Sequence, residues 1–219
     1  MGRLVSLNVA TAEVLGGWRG QPVRSGIRKR PAAGPVEILL DALAGDEQAD
    51  RVNHGGPDKA IYAYAQEDYG WWTGELAGES LMPGRFGENL TTGGIDVSGA
   101  LIGERWRVGA ALLEVAQPRI PCFKLGMTMR DAGFLRRFAH ASRPGAYLRI
   151  IERAPIAAGD AIDVVERPAH EVSVARVSDA ILLEDDPSTI AAVLEAVALA
   201  AGLADWLRDK ATALAARAA

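Results

Sequence analysis

The chain changes pattern once, at Arg167-Pro168, and that change limits the folds open to it. Before it, short apolar runs are cut by Gly and Pro; after it, the sequence is alanine-rich. Leu4 to Val9, Val36 to Leu40, Lys59 to Tyr64, Glu104 to Val108, Leu112 to Ala116, Tyr147 to Glu152 and Ala161 to Glu166 have strand character. Residues 16–34, rich in Gly, Pro and Arg, predict a loop with a short excursion. Gln66 to Ala77 and Asp131 to Ala141 suit helices. Many short strands with glycine turns and few helices predict a closed or barrel-like β structure up to about residue 167.

Beyond Pro168, Val174 to Leu183 predicts one helix. Asp186-Pro187 supplies an N-cap and a first-turn Pro for a second, which runs to a stop at Gly202. Leu203 to Ala216 predicts a third, with Trp206, Leu207 and Leu214 available for packing. Three short helices bury little apolar surface alone. They are expected to form a small bundle docked on the barrel or on a partner chain. The expected fold class is α+β, mostly β: a barrel-like domain over residues 1–167 and a three-helix C-terminal domain over residues 168–219.

A length of 219 residues suits one mid-sized domain, or one with a small appendage. Apolar residues at 49 % and charged residues at 24 % exclude a disordered or fibrous chain. Charges such as Arg105, Arg107 and Glu114 interrupt every candidate bilayer span. The first eight residues lack the charged start and apolar centre of a signal peptide, so a cytoplasmic location is expected. A net charge of −4 disfavours nonspecific nucleic-acid binding.

Cys122 is the only cysteine, which excludes an intramolecular disulfide and any multi-cysteine zinc or iron–sulfur site. Three readings stay open: a core residue, a nucleophile, or a ligand to a group the protein does not supply. Pro118 and Pro121 stiffen its surroundings, and Arg119 and Lys124 favour the thiolate. Of 24 cationic residues only Lys29, Lys59, Lys124 and Lys210 are lysines, so each is worth locating.

Residues 45–58 are polar, and a loop of that length in a compact domain is more often functional than idle. His54-Gly55-Gly56 reads as a turn with a solvated histidine, or as paired glycines that offer N–H groups to an anion. Lys59 adds a point charge nearby. No G-x-S-x-G elbow or Walker loop accompanies it. The turn Gly84-Arg85-Phe86-Gly87-Glu88-Asn89 is a capped hairpin turn or a ligand rim, with Asn89 able to donate and accept hydrogen bonds. Tyr62, Tyr64, Tyr69, Trp71 and Trp72 predict core. Asp46, Asp50 and Asp58 lack EF-hand spacing and predict solvated loop acids.

In order, four blocks resemble the MOSC domain, the C-terminal domain of molybdenum cofactor sulfurases. They are Gly45-Asp46-Glu47-Gln48-Ala49-Asp50, His54-Gly55-Gly56-Pro57-Asp58-Lys59-Ala60, Pro83-Gly84-x-Phe86-Gly87-Glu88-Asn89-Leu90 and Gln117-Pro118-Arg119-x-Pro121-Cys122-x-Lys124-Leu125. The nearest type is the stand-alone bacterial YiiM-like protein, which carries a small three-helix C-terminal domain. The resemblance implies a barrel-like β fold that binds the molybdenum cofactor (a molybdopterin) and no pyridoxal phosphate. Cys122 would be the protein ligand to molybdenum. The implied activity is reduction of N-hydroxylated compounds, such as hydroxylaminopurine base analogues and amidoximes, with electrons from a separate redox protein.

One protein thiolate suffices if the pterin supplies the other sulfurs. On this reading Lys59, Arg119 and Lys124 favour the thiolate and the cofactor's anionic groups. Gly55 and Gly56 admit the pterin or its phosphate to the backbone. Gln48 and Asn89 bond the pterin edge, and His54 delivers a proton. The alternative is a non-catalytic carrier of the cofactor or of sulfur. A metal-free cysteine transferase or hydrolase ranks last, because the sequence shows no acid to orient a histidine. The chain would be a monomer or homodimer, with no specific nucleic acid and no membrane among its partners.

Overall fold

The computed structural model describes residues 1–76, 81–131 and 133–218. Its strands are β1 (Gly2–Val9), β2 (Glu13–Trp18), β3 (Gln21–Ser25), β4 (Arg30–Pro31), β5 (Ile61–Ala65), β6 (Leu90–Gly93), β7 (Arg105–Val108), β8 (Ala111–Pro118), β9 (Ala146–Glu152) and β10 (Ala161–Glu166). Its helices are α1 (Arg51–His54), α2 (Gln66–Glu75), α3 (Phe123–Met129), α4 (Phe134–His140), α5 (Val174–Leu182), α6 (Pro187–Val193) and α7 (Ala201–Ala218).

Seven strands form a ring in the order β10-β7-β8-β9-β5-β6-β1, and pairing of β1 with β10 closes it. Closure satisfies the ladder groups that an open sheet leaves at its edges. Neighbours are antiparallel except β5 and β6, which are parallel and need the crossover that contains α2. Gly145 enters β9 with φ +65°, and a Cβ there would lie 2.6 Å from the Ala63 carbonyl oxygen. Only glycine lets the two strands approach this closely.

Leu4, Ile61, Leu90, Trp106, Leu113 and Leu148 belong to one buried cluster that also contains Val174, Val177, Ile190, Val193 and Leu207 of the C-terminal helices. The helical tail therefore packs on the barrel and shares its core. Backbone bonds reinforce the contact: the N–H groups of Val174 and Ala200 donate to the carbonyls of Ala100 and Ala116. A second cluster, aromatic in character, gathers Tyr62, Tyr64, Tyr69, Trp72, Phe86, Phe134 and Phe138. Trp72 satisfies its indole N–H on the Tyr64 hydroxyl at 2.6 Å.

Several local expectations need correction. Residues 16–34 contain a hairpin rather than a loop, because Trp18 pairs with Gln21 across Arg19-Gly20. Both turn residues have positive φ, as a two-residue hairpin turn requires. Residues 36–40 form isolated bridges, Val36 to Ile156 and Ile38 to Leu43, and then turn outward at exposed Leu40. Helix α6 ends at Val193, and Gly202 lies in the first turn of α7 rather than at a helix stop. Residues 194–200 are non-helical, and at their end the Ala200 N–H bonds to the Ala116 carbonyl of the barrel. Trp71 is 37 % exposed, outside the aromatic cluster and beneath the Arg143 guanidinium. The expected end of α2, Ala77, lies outside the described residues. No helix among the described residues is long and apolar enough to cross a membrane.

Candidate functional site

Strand β8 ends at Pro118, and the Pro118–Pro121 segment carries the chain to the start of α3. Cys122 occupies the N-cap position of that helix in extended geometry and makes no capping bond with its side chain. The thiol is thus available at a strand-to-helix junction. Across from it, Asp50 caps the one-turn helix α1, its carboxylate accepting from the Asn53 N–H. One turn onward, His54 comes to face the same carboxylate.

These caps align four side chains. His54 Nε2 is 3.3 Å from Cys122 Sγ, and His54 Nδ1 is 3.0 Å from Asp50 Oδ2. Lys124 Nζ donates to the same Asp50 oxygen at 3.2 Å. With its proton on Nδ1, His54 can accept the thiol proton at Nε2. Asp50 is therefore not a solvated loop acid. It is the orienting acid that was not visible in the sequence.

The electrostatics follow this geometry. Burial alone would raise the Cys122 pKa, but the His54 bond and the Arg119 charge outweigh it and lower the thiol to about 7. Burial also disfavours an ionised Asp50. Bonds from the Asn53 backbone, His54 and Lys124 still hold its carboxyl well below the usual range. No cluster of three His, Cys, Asp or Glu that would hold a metal ion occurs among the described residues.

Two cavities meet at this line of residues. A compact polar recess is lined by Lys29, Asp46, Gln48, Asn89, Arg119 and Lys124, among others. An outer cavity of about 670 Å³ runs past Ile120, Pro121 and Phe123 to Leu203 and Trp206. That volume falls within the range of small-molecule sites. Asp50, His54, Lys59, Cys122 and Tyr147 line both.

Most of the expected site residues share this space, though several are already engaged. Arg119 is buried, donates to the Phe86 carbonyl and lies 5.0 Å over the Tyr62 ring. Lys59 uses one donor on the Asn53 carbonyl at 2.7 Å and has two left. Asn89 accepts from the Tyr62 N–H and donates to Asn8 and Asp46. Gln48 donates to the carbonyls of Asp41 and Lys59 and accepts from the Gly56 N–H. Both carboxamides therefore brace the recess, which leaves little of either for a pterin edge. Gly55 and Gly56 line neither cavity; they form the turn after α1, with Gln48 packed against Gly55.

Four contributors were missed. Lys29 and Asp46 form a buried ion pair at the recess, and Asp46 also accepts from Asn89 and the Ala10 N–H. Burial lowers the Lys29 pKa against the opposing pull of Asp46. Tyr147 faces both cavities, and its hydroxyl has no hydrogen-bond partner among the described residues. Burial, with the nearby Cys122 charge, raises its pKa and keeps it a neutral donor. Asp50 is the fourth. Asp58, also predicted as solvated, pairs with Arg149 at 2.5 Å.

The MOSC domain family profile matches residues 50–163. YflK of Bacillus subtilis is 34 % identical over 171 residues, 78 % of this chain and 76 % of that protein. YiiM of Escherichia coli is 32 % identical over 163 residues, 74 % of this chain and 72 % of that protein. A Gibberella moniliformis protein named reductase is 34 % identical over 79 % of this chain, which spans only 31 % of that protein. The crystal structure of YiiM from Geobacillus stearothermophilus superposes with a TM-score of 0.79 at 26 % identity, covering 96 % of this chain and all of that one. MOSC domains are associated with molybdenum cofactor binding, which gives the site a cofactor-related setting. The profile match and the relatives alike establish that the chain belongs to the MOSC domain family.

Proposed function

We propose that the chain is a molybdenum-cofactor-dependent reductase of N-hydroxylated compounds, of the hydroxylaminopurine and amidoxime classes. The observation that carries this reading is the Cys122 thiol, lowered to about 7 between His54 and Arg119 at the junction of two cavities. The donor set fits such a cofactor. A soft thiolate suits a metal whose other sulfurs come from the pterin, and cationic Lys59, Arg119 and Lys124 suit anionic cofactor groups.

When bound, the cofactor supplies the two electrons that cleave the N–O bond. The protein's part is orientation and proton supply. Cys122 would hold the metal through its thiolate, while Asp50, itself bonded by Lys124, orients His54. His54 is placed to pass a proton from Nε2 to the departing oxygen, with Asp50 orienting its ring through Nδ1. Substrate, two electrons and two protons give the amine or amidine and water. Electrons come from a separate protein, and the chain acts as a monomer or homodimer in the cytoplasm.

The test is expression in a host able to make the cofactor and in one unable to. Reduction of hydroxylaminopurine is expected only from the first; equal activity from both would refute the proposal. The Asp50–His54–Cys122 line favours a second reading, metal-free thiol chemistry of the Cys–His–acid type. Stoichiometric molybdenum in anaerobically purified protein would exclude that reading.

A further inference from the structure

We infer that an arginine-rich groove at the C-terminal end of α3 is a binding site for a ligand that carries a diphosphate group. Neither Cys122 nor His54 lines it, so the site is separate from the one described above and does not depend on the reductase reading.

The groove consists of two cavities, of about 740 and 170 Å³, that share Arg28, Arg85 and Thr128 in their linings. Arg130 and Arg137 line only the larger cavity, and Arg30 only the smaller. Against these five arginines the described lining sets two carboxylates, Glu75 and Asp131. Lys29 also lines the smaller cavity, but its charge is spent on Asp46. In a chain of net charge −4 this is a local excess of cations.

Three of the arginines are held by partners. Arg85 donates to the Thr128 carbonyl at 3.1 Å, which ties its turn to the end of α3. Arg28 pairs with Glu13 at 3.0 Å, and Arg137 pairs with Asp131. Arg30 and Arg130 differ. Both are exposed, and neither guanidinium has a hydrogen-bond or ion-pair partner among the described residues. Their backbones are nevertheless fixed. Arg30 pairs with Val9 of β1, and the Arg130 N–H bonds to the Gly126 and Met127 carbonyls with φ +55°. A left-handed cap of this kind favours glycine or asparagine, so the cap geometry does not select arginine there. Each cavity thus offers one free guanidinium, with Arg28 and Arg85 common to both. Two linked anionic groups match that arrangement. A guanidinium presents a planar fork of donors that takes oxygens in pairs. A carboxylate offers two oxygens and a terminal phosphate three, so several forks are better matched by phosphates.

The test is calorimetry on the full chain, in magnesium-free buffer at fixed ionic strength, with inorganic pyrophosphate, phosphate, succinate and ADP as probes. Pyrophosphate is expected to bind more tightly than phosphate or succinate. Arg30→Gln and Arg130→Asn should each weaken it about tenfold, the scale of one lost charge-assisted contact. Asparagine tolerates the left-handed backbone, and neither arginine side chain makes a bond, so melting temperatures should stay near wild type. Arg130→Lys keeps the charge without the fork and should fall between wild type and Arg130→Asn. Arg136→Gln, at an exposed arginine outside the groove, should leave the affinity unchanged. ADP separates two sources of the group. Binding at least as tight as pyrophosphate assigns the groove to a nucleotide, and weaker binding to a free diphosphate; each supports the site. Equal losses in Arg136→Gln and Arg130→Asn would reduce the effect to overall charge and overturn it. Pyrophosphate binding that both groove variants leave intact would belong to the recess beside Cys122 and would also overturn it. So would a preference for succinate or a polyglutamate peptide, which would make the groove a carboxylate or acidic-protein surface.

Discussion

His54 Nε2 lies 3.3 Å from Cys122 Sγ although 68 positions of sequence separate them. The contact joins a loop before β5 to the junction after β8, and it sets the charge state of the thiol. The pH dependence of Cys122 reactivity follows. Alkylation by iodoacetamide should rise to half its maximum near pH 7, because the thiolate is the nucleophile and its pKa is lowered to about 7. Reactivity falls as pH drops below that value. His54→Gln removes the main stabilising bond, and the midpoint should move upward toward that of an ordinary thiol. A profile identical to wild type would show that the histidine does not govern the thiolate.

Asp50 acts on the same thiol at one remove. Asp50→Asn retains an N-cap oxygen for α1, so the fold should change little. It removes the carboxylate that bonds His54 Nδ1 and pairs with Lys124. The alkylation midpoint should rise, by less than in His54→Gln, with the melting temperature within a few degrees of wild type. Rate–pH profiles beside thermal melts check both halves. A large fall in melting temperature with no shift in midpoint would assign Asp50 a structural role only.

How much of this was readable in the sequence depended on how local each signal is. β1 shows itself through alternation within a few residues, and β9 and β10 through short apolar runs. The hairpin at residues 13–25 was hidden because Arg19-Gly20 lacks the usual Asn-Gly or Asp-Gly signature. Gly202 looked like a helix stop, yet α6 ends at Val193 and Gly202 lies in the first turn of α7, just after the Ala200 N–H bonds to the Ala116 carbonyl of the barrel. In the site, Cys122, Arg119 and Lys124 are neighbours in sequence and were found together. Asp50 as partner of His54 needed the geometry of a one-turn helix, and the Lys29–Asp46 pair needed the docking of two distant loops.

That buried pair gives a stability prediction. The side chains of Lys29 and Asp46 are only 8 % and 4 % exposed. Lys29→Met leaves the Asp46 carboxylate buried with only neutral donors, Asn89 and the Ala10 N–H, beside it. Breaking a buried pair by removing one partner costs about 3–5 kcal/mol. Urea unfolding should show a midpoint lowered by a corresponding amount with an unchanged slope. A loss below about 1 kcal/mol, the range of surface pairs, would mean that water reaches the recess and screens the pair.

Cys122→Ser separates ligation from folding. The thiol sits at the N-cap of α3 but makes no capping bond, and serine is a favoured N-cap residue. The helix should lose nothing from the change, and the hydroxyl can still face His54. Serine is not a soft ligand, however, and its hydroxyl does not ionise near neutral pH. If Cys122 holds the metal, the purified variant should melt within a few degrees of wild type but contain little molybdenum by elemental analysis. It should also reduce no hydroxylaminopurine. Retained molybdenum at wild-type stoichiometry would remove Cys122 as the ligand. Because the fold is expected to survive, that result could not be blamed on misfolding.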